Sequence, residues 1–389
     1  MSETVLPEEL ASSVPCEEPA PTPVPQGEMY IAGLGTALPP FSIQQDAAAK
    51  MATGLRDYEP DQKRRIEKLY GLTRVAQRHC VVLDRNGNGE TEQQFFEPTN
   101  GSGGFGPRLS RRMERYEEEA PQLARQAAEK ALKDGDIDPA SITHLITVSC
   151  SGFTAPGVDV FLIRHLGLPA TTQRTHVGFM GCHGAMNAVR VAHGYLGNMP
   201  EARVLIVAVE LCSLHYQYST DDETNLANGL FSDGAAALIA TGDVPEGAAR
   251  WQCVDSGSCI LPDSEDAMTW KIRDHGFQMT LSREVPIAIK AHLLPWMTTW
   301  LARNDLAVED VASWAVHPGG PAILQGVQSA LSLKSEDLKA SWEVLRDCGN
   351  MSSPTVLFVI DAMRRASAPR PCVALGFGPG LAAEATLWR

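Results

Sequence analysis

Three short stretches of the sequence each carry one side chain suited to acyl chemistry. VGFMGCHGAM contains Cys182, WAVHPGGP contains His317, and CGNMSSP contains Asn350. A thiol supplies a nucleophile, an imidazole supplies a proton or ion-pair partner, and an amide supplies a hydrogen-bond donor for an oxyanion. Together they suit thioester chemistry, in which the cysteine takes up an acyl group while the histidine and asparagine stabilise an enolate.

The predicted elements place these side chains at turns beside strands and helices. An apolar strand is predicted over 175–181 and a helix over 183–196, so Cys182 lies at the turn between them. The free N–H groups and the positive dipole end of that helix favour the thiolate. His317 ends an apolar strand, and Asn350 precedes a helix. Each residue alone also fits a structural role, and only the combination favours catalysis.

Apolar strands alternate with helices along the chain, which is typical of an α/β protein whose sheets are covered on both faces. The alternation runs once and then begins again, so two α/β halves are predicted, 29–250 and 251–389. The first half carries the candidate nucleophile, and the second carries the candidate histidine and asparagine. The sequence contains no letter-for-letter repeat, so the prediction of two halves depends on the order of the elements.

Composition limits the classes of protein to which the chain can belong. With 47 acidic and 33 basic residues, the formal net charge is -14, which argues against general nucleic-acid binding. No apolar run approaches the roughly 20 residues needed to cross a bilayer, so no membrane span is predicted.

Two features bear on the location of the protein. Residues 1–28 are acidic and rich in proline, so we expect a disordered tail there, with a partner-binding arm as the other interpretation. This segment lacks the basic residues and apolar core of a targeting signal. The nine cysteines form no CxxC motif, so neither a zinc site nor a disulfide framework is expected. A reducing, cytoplasmic location is therefore predicted.

The motifs make the sequence similar to the type III polyketide synthases, the chalcone and stilbene synthase family of the thiolase superfamily. Besides GFMGCHGAMN, the resemblance rests on FSDGAAA (231–237), HPGGPAIL (317–324), GNMSS (349–353) and GFGPG (376–380), and it covers about residues 29–389. It implies a thiolase-like, five-layered αβαβα fold made of two similar halves. It also implies a homodimer that needs neither a metal nor an organic cofactor.

The resemblance further implies the mechanism of an acyltransferase. Cys182 corresponds to the nucleophile that accepts a starter acyl group from CoA, and His317 to the residue that holds the thiolate as an ion pair, with a lowered thiol pKa. His317 and Asn350 correspond to the residues that polarise the malonyl thioester, drive the loss of CO2 and stabilise the enolate. The enolate attacks the acyl-enzyme, and the cycle repeats before cyclisation. Malonyl-CoA and a starter acyl-CoA are therefore the expected substrates.

The same resemblance assigns residues to the CoA tunnel. Phe231 stands at one gatekeeper position, and Met279 stands at the second, where Phe is usual, which makes the gate more flexible. The basic cluster KRRIEK lies where the family binds the CoA phosphates. Within it Arg64 and Lys68 match the spacing best, with a solvated helix face as the other interpretation. Ala322 stands at a position that contacts CoA.

Residues at cavity-lining positions indicate the substrate. These positions are occupied by Cys150, Ser151, Ala155, Cys212, His215, Trp270 and Ser352. Small Ala155 and unbranched Cys212 predict a tunnel for an acyl tail, and Trp270 predicts a narrowed pocket for aromatic starters. The pattern resembles bacterial and fungal members that use medium- or long-chain fatty acyl-CoA starters and make alkyl α-pyrones or alkylresorcinols.

Three other functions stay open at this point. Cys150 and Trp270 also fit a synthase that makes a small aromatic, such as a tetrahydroxynaphthalene, from malonyl-CoA alone. A ketoacyl synthase that performs one condensation is disfavoured by the GFGPG and HPGGP motifs. A non-catalytic protein that holds acyl-CoA is disfavoured by the intact trio of cysteine, histidine and asparagine.

Overall fold

The structure is a computed structural model that describes residues 27–89, 91–99, 104–244 and 251–389. The predicted disordered tail therefore lies outside the described residues, except for its last two positions. The predicted junction of the two halves at residue 250 also lies outside them. Both the tail and the domain bounds stay predictions.

The described residues form ten helices and fifteen strands. The helices are α1 Gln45–Gly54, α2 Pro60–Leu72, α3 Leu109–Asp134, α4 Val158–Leu166, α5 Gly184–Asn198, α6 Asp222–Leu230, α7 Val285–Ala302, α8 Pro321–Ala330, α9 Lys339–Cys348 and α10 Thr355–Arg365. The strands are β1 Tyr30–Ala37, β2 Ser42–Gln44, β3 Gln77–His79, β4 Leu83–Arg85, β5 Thr91–Gln93, β6 His144–Ser149, β7 Gln173–Gly178, β8 Arg203–Leu211, β9 Asp233–Thr241, β10 Cys253–Ile260, β11 Met268–Arg273, β12 Gly276–Leu281, β13 Ser313–Val316, β14 Cys372–Gly378 and β15 Ala382–Trp388.

The first large sheet contains five strands in the order β1-β9-β8-β6-β7. Its central strands are nearly continuous apolar runs, such as RVLIVAVEL in β8, because both of their faces are covered. β6 is parallel to β7 and β8, whereas β9 is antiparallel to β8 and β1. The parallel strands therefore end at one edge of the sheet.

The second large sheet repeats this arrangement with four strands in the order β10-β15-β14-β13. β15 is antiparallel to β10 and β14, and β14 is parallel to β13. In the first sheet, β1, β9, β8 and β6 are paired in the same order: two antiparallel pairs are followed by one parallel pair. The fold is thus made of two similar halves, as predicted, and β7 has no counterpart in the second.

Helices and sheets stack in five layers. α5 and α10 lie between the sheets, where their apolar residues pack with the inward-facing residues of both. α3 and α4 cover the outer face of the first sheet, and α7 and α8 cover the outer face of the second. Within β14, Ala374 faces the middle layer while Val373 and Leu375 face outward, which is the alternation a strand requires. The five-layered αβαβα prediction is confirmed.

Two local predictions from the sequence, a helix over 119–135 and a long Gly- and Asn-rich loop over 85–108, differ from the structure. The helix predicted over 119–135 is α3, which begins ten residues earlier, at Leu109. Its first part is rich in Arg and Glu, and it is stabilised by pairs three or four residues apart such as Arg115 with Glu119. The segment 85–108 was predicted to be a long loop, but β4 and β5 form a hairpin there.

Helix α7 is apolar over most of its length but belongs to the protein core. Ile289, Leu293 and Met297 are buried against α8 and the second sheet. No helix within the described ranges is both long enough and apolar enough to cross a membrane.

Candidate active site

The parallel strands deliver the candidate residues at their carboxyl ends. β6, β7 and β8 are each followed within four residues by a cysteine, namely Cys150, Cys182 and Cys212. In the second sheet, β13 ends one residue before His317. Side chains that follow parallel strands gather at one edge of a sheet, so residues distant in the sequence share a site.

Cys182 lies in a single 3-10 turn, Gly181–His183, between β7 and α5. Gly181 has a φ of 74°, a left-handed conformation that favours glycine. A Cβ atom at this position would lie 2.3 Å from Cδ of Pro379, so a larger residue would displace the GFGPG turn. The predicted turn before a helix is therefore present, and it holds the thiol against this motif.

Burial dominates the electrostatics of the Cys182 thiol. The side chain is 5% exposed, and burial raises the pKa of the thiol to about 11. Hydrogen bonds with the Ser352 hydroxyl and the Asn350 side chain lower this pKa, but by less than burial raises it. The sequence analysis predicted a lowered thiol pKa. In the structure this pKa is raised instead, because the thiol is buried. At neutral pH the unliganded thiol is protonated.

His317 is 1% exposed, and both of its ring nitrogens lack a hydrogen-bond partner among the described residues. Burial, with a smaller contribution from His183, lowers the pKa of the imidazole to about 3. Leaving a buried polar group without a partner costs about 1–3 kcal/mol, so such a group calls for an explanation. A neutral imidazole with a free lone pair is the form that can accept the thiol proton.

Backbone and side-chain hydrogen bonds fix Asn350 in place. Its amide N–H donates to the Leu230 carbonyl at 3.0 Å, and its carbonyl accepts from the Ser232 amide at 2.9 Å. The side chain donates through Nδ2 to the Gly319 carbonyl at 3.3 Å and accepts at Oδ1 from the Ser352 amide at 2.8 Å. Because the side chain also contacts the candidate thiol, it is oriented to donate to an oxygen that forms there.

A cavity of about 280 Å³ lies over the candidate nucleophile. It is lined by both predicted gatekeepers and by four of the seven predicted cavity residues. The lining consists of Cys150, Gly181, Cys182, Cys212, Phe231, Trp270, Met279, Ser352 and Pro379. Burial raises the pKa of each thiol on this cavity, so all three are protonated in the unliganded protein.

One wall of this cavity depends on Glu210, which the sequence analysis did not identify. Its fully buried carboxylate accepts hydrogen bonds from the amides of Cys150 at 2.9 Å and Ser151 at 3.0 Å. It also accepts from the hydroxyls of Ser151 at 2.6 Å and Ser353 at 2.5 Å. Ser151 therefore lies behind the cavity wall. A lone acid in the apolar run RVLIVAVEL was the available signal, because a buried carboxylate requires several donors.

His215 and Trp270 form a second wall. The Nε2–H of His215 donates to the Ser151 carbonyl at 2.6 Å, and its Nδ1 accepts from the Phe277 amide at 3.0 Å. Burial lowers the pKa of this imidazole to about 3, so the ring is neutral. It stacks on Phe277 with centroids 4.1 Å apart, while the Trp270 indole donates to the Cys150 carbonyl at 2.7 Å. Both imidazole nitrogens and the indole N–H of this wall are therefore hydrogen-bonded to the main chain.

A larger apolar chamber, of about 870 Å³, adjoins the small cavity. The two share Cys212, Phe231, Trp270 and Met279, and the chamber also reaches His215. Helices α1, α2 and α6 and the strands β3 and β4 supply about half of the remaining lining. Its surface is chiefly hydrocarbon, so it suits an alkyl chain.

Ala155 lies on a different cavity, of about 770 Å³, together with Phe153 and Ser149. This cavity shares no lining residue with the one over Cys182 or with the apolar chamber. The turn held by Glu210 separates them. The structure therefore does not bring Ala155 and Cys212 to one tunnel, in contrast to the sequence prediction.

An open groove of about 1320 Å³ lies outside the gate and reaches Gly319, the residue that accepts the Asn350 side-chain amide. The groove contains Ala322 at the start of α8, as expected of a CoA contact. Its basic lining residues are Arg74 and Arg283.

The two basic residues predicted to bind CoA do not line this groove. Arg64 forms an exposed ion pair with Asp61, and Lys68 is also exposed on α2. Binding of the CoA phosphates by Arg64 and Lys68 therefore stays a prediction. The two side chains would have to reach the phosphates from outside the groove. In the described part of the chain, no group of three or more His, Cys, Asp or Glu side chains is arranged to hold a metal ion.

Comparison with known protein families gives two matches that together cover most of the chain. The family described as chalcone and stilbene synthases, N-terminal domain, matches residues 19–244, and the corresponding C-terminal domain matches 252–389. A Mycobacterium tuberculosis protein named alpha-pyrone synthesis polyketide synthase-like Pks18 is 33% identical over 378 residues, which are 95% of this chain and 92% of the relative. The protein of the same name from Mycobacterium bovis matches equally well.

Solved structures of two similar proteins share the fold. The crystal structure of PKS-I from the brown alga Ectocarpus siliculosus has a TM-score of 0.86 and 30% identity, covering 94% of this chain and 98% of that one. The C-terminal type III polyketide synthase domain of Steely1 from Dictyostelium has a TM-score of 0.83 and 25% identity, covering 93% of this chain and 99% of that one.

Proposed function

Because the chain belongs to the chalcone and stilbene synthase family of type III polyketide synthases, which are acyltransferases, we propose that it extends a fatty acyl-CoA starter. The starter is a medium- or long-chain acyl-CoA, and the extender is malonyl-CoA. Repeated decarboxylative condensation and ring closure give an alkyl α-pyrone or an alkylresorcinol. The observation that carries the choice of starter is the apolar chamber adjoining the cavity of Cys182.

The first half-reaction loads the starter. His317 accepts the proton of the Cys182 thiol as the sulfur attacks the thioester carbonyl, and the CoA thiol leaves with a proton. Neither ring nitrogen of His317 has a hydrogen-bond partner among the described residues, so the nitrogen without a hydrogen has its lone pair free for this task. The unliganded pair is neutral, so proton transfer accompanies substrate binding in this scheme, when the approaching thioester aligns the two groups.

The second half-reaction extends the chain. The malonyl carboxylate leaves as CO2, and its bonding electrons form an enolate whose oxygen accepts hydrogen bonds from the Asn350 amide and from the N–H of neutral His317, which has passed the thiol proton to the departing CoA. The enolate carbon then attacks the acyl carbonyl on Cys182, and the sulfur leaves as the new β-ketoacyl chain passes to CoA. In this scheme the substrate fills the small cavity of about 280 Å³ and so displaces water from this step.

The proposed path for CoA is the groove that ends at Gly319. Arg74 and Arg283 are the cations on its surface, and Ala322 lies at the start of the helix that borders it. An acyl thioester entering along this groove meets Phe231 and Met279 before it reaches the thiol, which fits their predicted role as gatekeepers.

Product masses test the proposal. The purified protein is given malonyl-CoA, alone and with acyl-CoA starters of increasing length. Each CH2 buried in the chamber is worth about 0.8 kcal/mol, so kcat/KM should rise up to about fourfold per carbon until the chamber is full. Product masses that track the starter support the proposal. A single product from malonyl-CoA alone, unaffected by starters, would support the small-aromatic alternative, which the small cavity beside Trp270 favours.

Ala227→Phe should shorten the acyl chains that the protein accepts. Ala227 is half-buried in α6 and lines the apolar chamber, so a phenyl group there occupies space meant for the tail. Excluding two methylenes costs about 1.6 kcal/mol, or about fifteenfold in kcat/KM for a long starter, with little change for a short one. Competition between hexanoyl-CoA and hexadecanoyl-CoA measures the ratio.

Ala155→Phe is the matched variant, because it places the same group in the separate cavity. Unchanged chain-length preference in this variant is expected. If Ala155→Phe shortens the accepted chain and Ala227→Phe does not, the tail occupies the cavity of Ala155, as the sequence alone predicted.

We also propose that the protein is a homodimer. β7 stands at the edge of the five-stranded sheet with four of its six residues exposed, and Phe153 is 56% exposed. Bare strand edges beside apolar side chains are commonly covered by another chain. Equilibrium sedimentation should give twice the 42.0 kDa of one chain, and a single-chain mass at micromolar concentration would reject the proposal.

A further inference from the structure

Arg78 is a buried cation that the proposed chemistry does not use. It lies in β3 and is 8% exposed, and it forms no ion pair within 4 Å of a described carboxylate, although its charge lowers the pKa of the more distant buried carboxyl of Asp233. Burying a charge costs several kcal/mol unless other groups compensate it. The groups that compensate this charge indicate what the residue does.

Two backbone carbonyls at the end of α6 bind the guanidinium. Nη1 donates to the Asn228 carbonyl at 2.6 Å and to the Phe231 carbonyl at 2.9 Å. A cation at this place also stabilises the negative end of the helix dipole. The Tyr70 ring packs beside the guanidinium, with its centroid 5.4 Å from Cζ. Arg78 therefore fixes the backbone where α6 ends.

The same backbone carries the gate and touches the candidate catalytic amide. Phe231 lines both the small cavity and the apolar chamber. On either side of it, Leu230 accepts a hydrogen bond from the Asn350 amide and Ser232 donates one to the Asn350 carbonyl. The Phe231 carbonyl bound by Arg78 and the Ser232 N–H that donates to Asn350 belong to the same peptide group.

We propose that Arg78 is a positioning residue for polyketide synthesis, which sets the gate residue Phe231 and, through the paired backbone, the amide of Asn350. This inference rests on the proposed function. Misplacing a group by about 1 Å can cost about 100-fold in rate. Loss of Arg78 should therefore lower kcat for malonyl-CoA decarboxylation and for condensation about 100-fold, while KM for malonyl-CoA changes little.

The experiment removes the guanidinium and then returns it. Arg78→Gly leaves a space the size of the lost group, and guanidinium chloride at about 20 mM supplies the missing cation. CO2 release from malonyl-CoA and product formation with decanoyl-CoA are followed, with circular dichroism to confirm folding. Arg111→Gly is the control, since Arg111 is an exposed arginine paired with Glu114 in α3, remote from the site.

The expected result is that guanidinium restores turnover of Arg78→Gly at least tenfold, whereas equal sodium chloride does not, and that Arg111→Gly responds to neither. A merely structural role would show as a lower melting temperature with normal turnover per folded molecule, and this result would overturn the proposal. If Arg78→Gly does not fold, Arg78→Lys replaces it. The lysine variant should keep the melting temperature and lose about tenfold in kcat, and unchanged kcat would overturn the proposal.

Failure of the proposed function would look different from failure of this inference. It would show in the wild-type protein, as absence of any product that tracks the starter. The role of Arg78 is tested by comparing CO2 release between variants, which needs only malonyl-CoA.

Discussion

Cys182→Ala should abolish loading of the starter while leaving malonyl-CoA decarboxylation in place. The thiol is the only part of the proposed machinery that forms a bond to the acyl group, so product formation should fall by about 10⁴-fold or more. Decarboxylation depends on His317 and Asn350, which the substitution leaves untouched. Intact-protein mass spectrometry should show no acyl adduct after incubation with decanoyl-CoA, while CO2 is still released.

Cys212→Ala is the matched control, because that thiol lines the same cavity and is equally buried. Its acyl adduct should form normally. An adduct on Cys182→Ala that disappears when Cys150 or Cys212 is also replaced would assign the nucleophile to one of those thiols instead.

His317→Gln should slow decarboxylation by about 100-fold to 1,000-fold, because the enolate loses the imidazole N–H that stabilises it. The thiol should change as well. Without a base to accept its proton, Cys182 has the pKa of about 11 that burial imposes, so only about one thiol in 10⁴ is ionised at pH 7. Its alkylation by iodoacetamide should then rise about tenfold per pH unit between pH 7 and 10.

The wild-type protein should react faster at pH 7 and depend less on pH, because His317 accepts the thiol proton as the sulfur attacks, although the resting pair is neutral. His144→Gln is the control, since it removes another buried imidazole at the opposite end of β6. Identical alkylation profiles for wild type and His317→Gln would show that His317 does not activate the thiol.

The sequence was informative about the fold where apolar residues form long runs. The strands β8 and β9 and the helix α5 were predicted with nearly the observed bounds, because buried elements have strict hydrophobic patterns. The start of α3 was missed because its first turns are charged and Pro121 lies inside the helix. Ion pairs between neighbouring turns, and burial of Arg112 and Tyr116, stabilise it there.

The candidate site could be predicted residue by residue, but its partition into cavities could not. The gatekeepers, Cys150, Cys212 and Trp270 do share one cavity with Cys182. The position of Ala155 depends on the turn held by Glu210, which involves residues about 60 positions apart. The pKa of the Cys182 thiol could not be predicted from the sequence either, because it depends on how deeply the folded chain buries the thiol.

Glu210 has one more consequence. Its carboxylate accepts hydrogen bonds from the main-chain amides of residues 150 and 151. Glu210 itself lies in the middle of a sheet, outside the cavity. The Cys150 sulfur also contacts the Glu210 carboxylate, and it contacts the Ser352 hydroxyl at 3.2 Å. The main-chain hydrogen bonds to Glu210 do not depend on which side chain stands at position 150. A substitution there can therefore reshape the surface that a growing chain meets without removing the main-chain support beneath it. The protein has a place where substrate range can drift during evolution at little cost to the architecture.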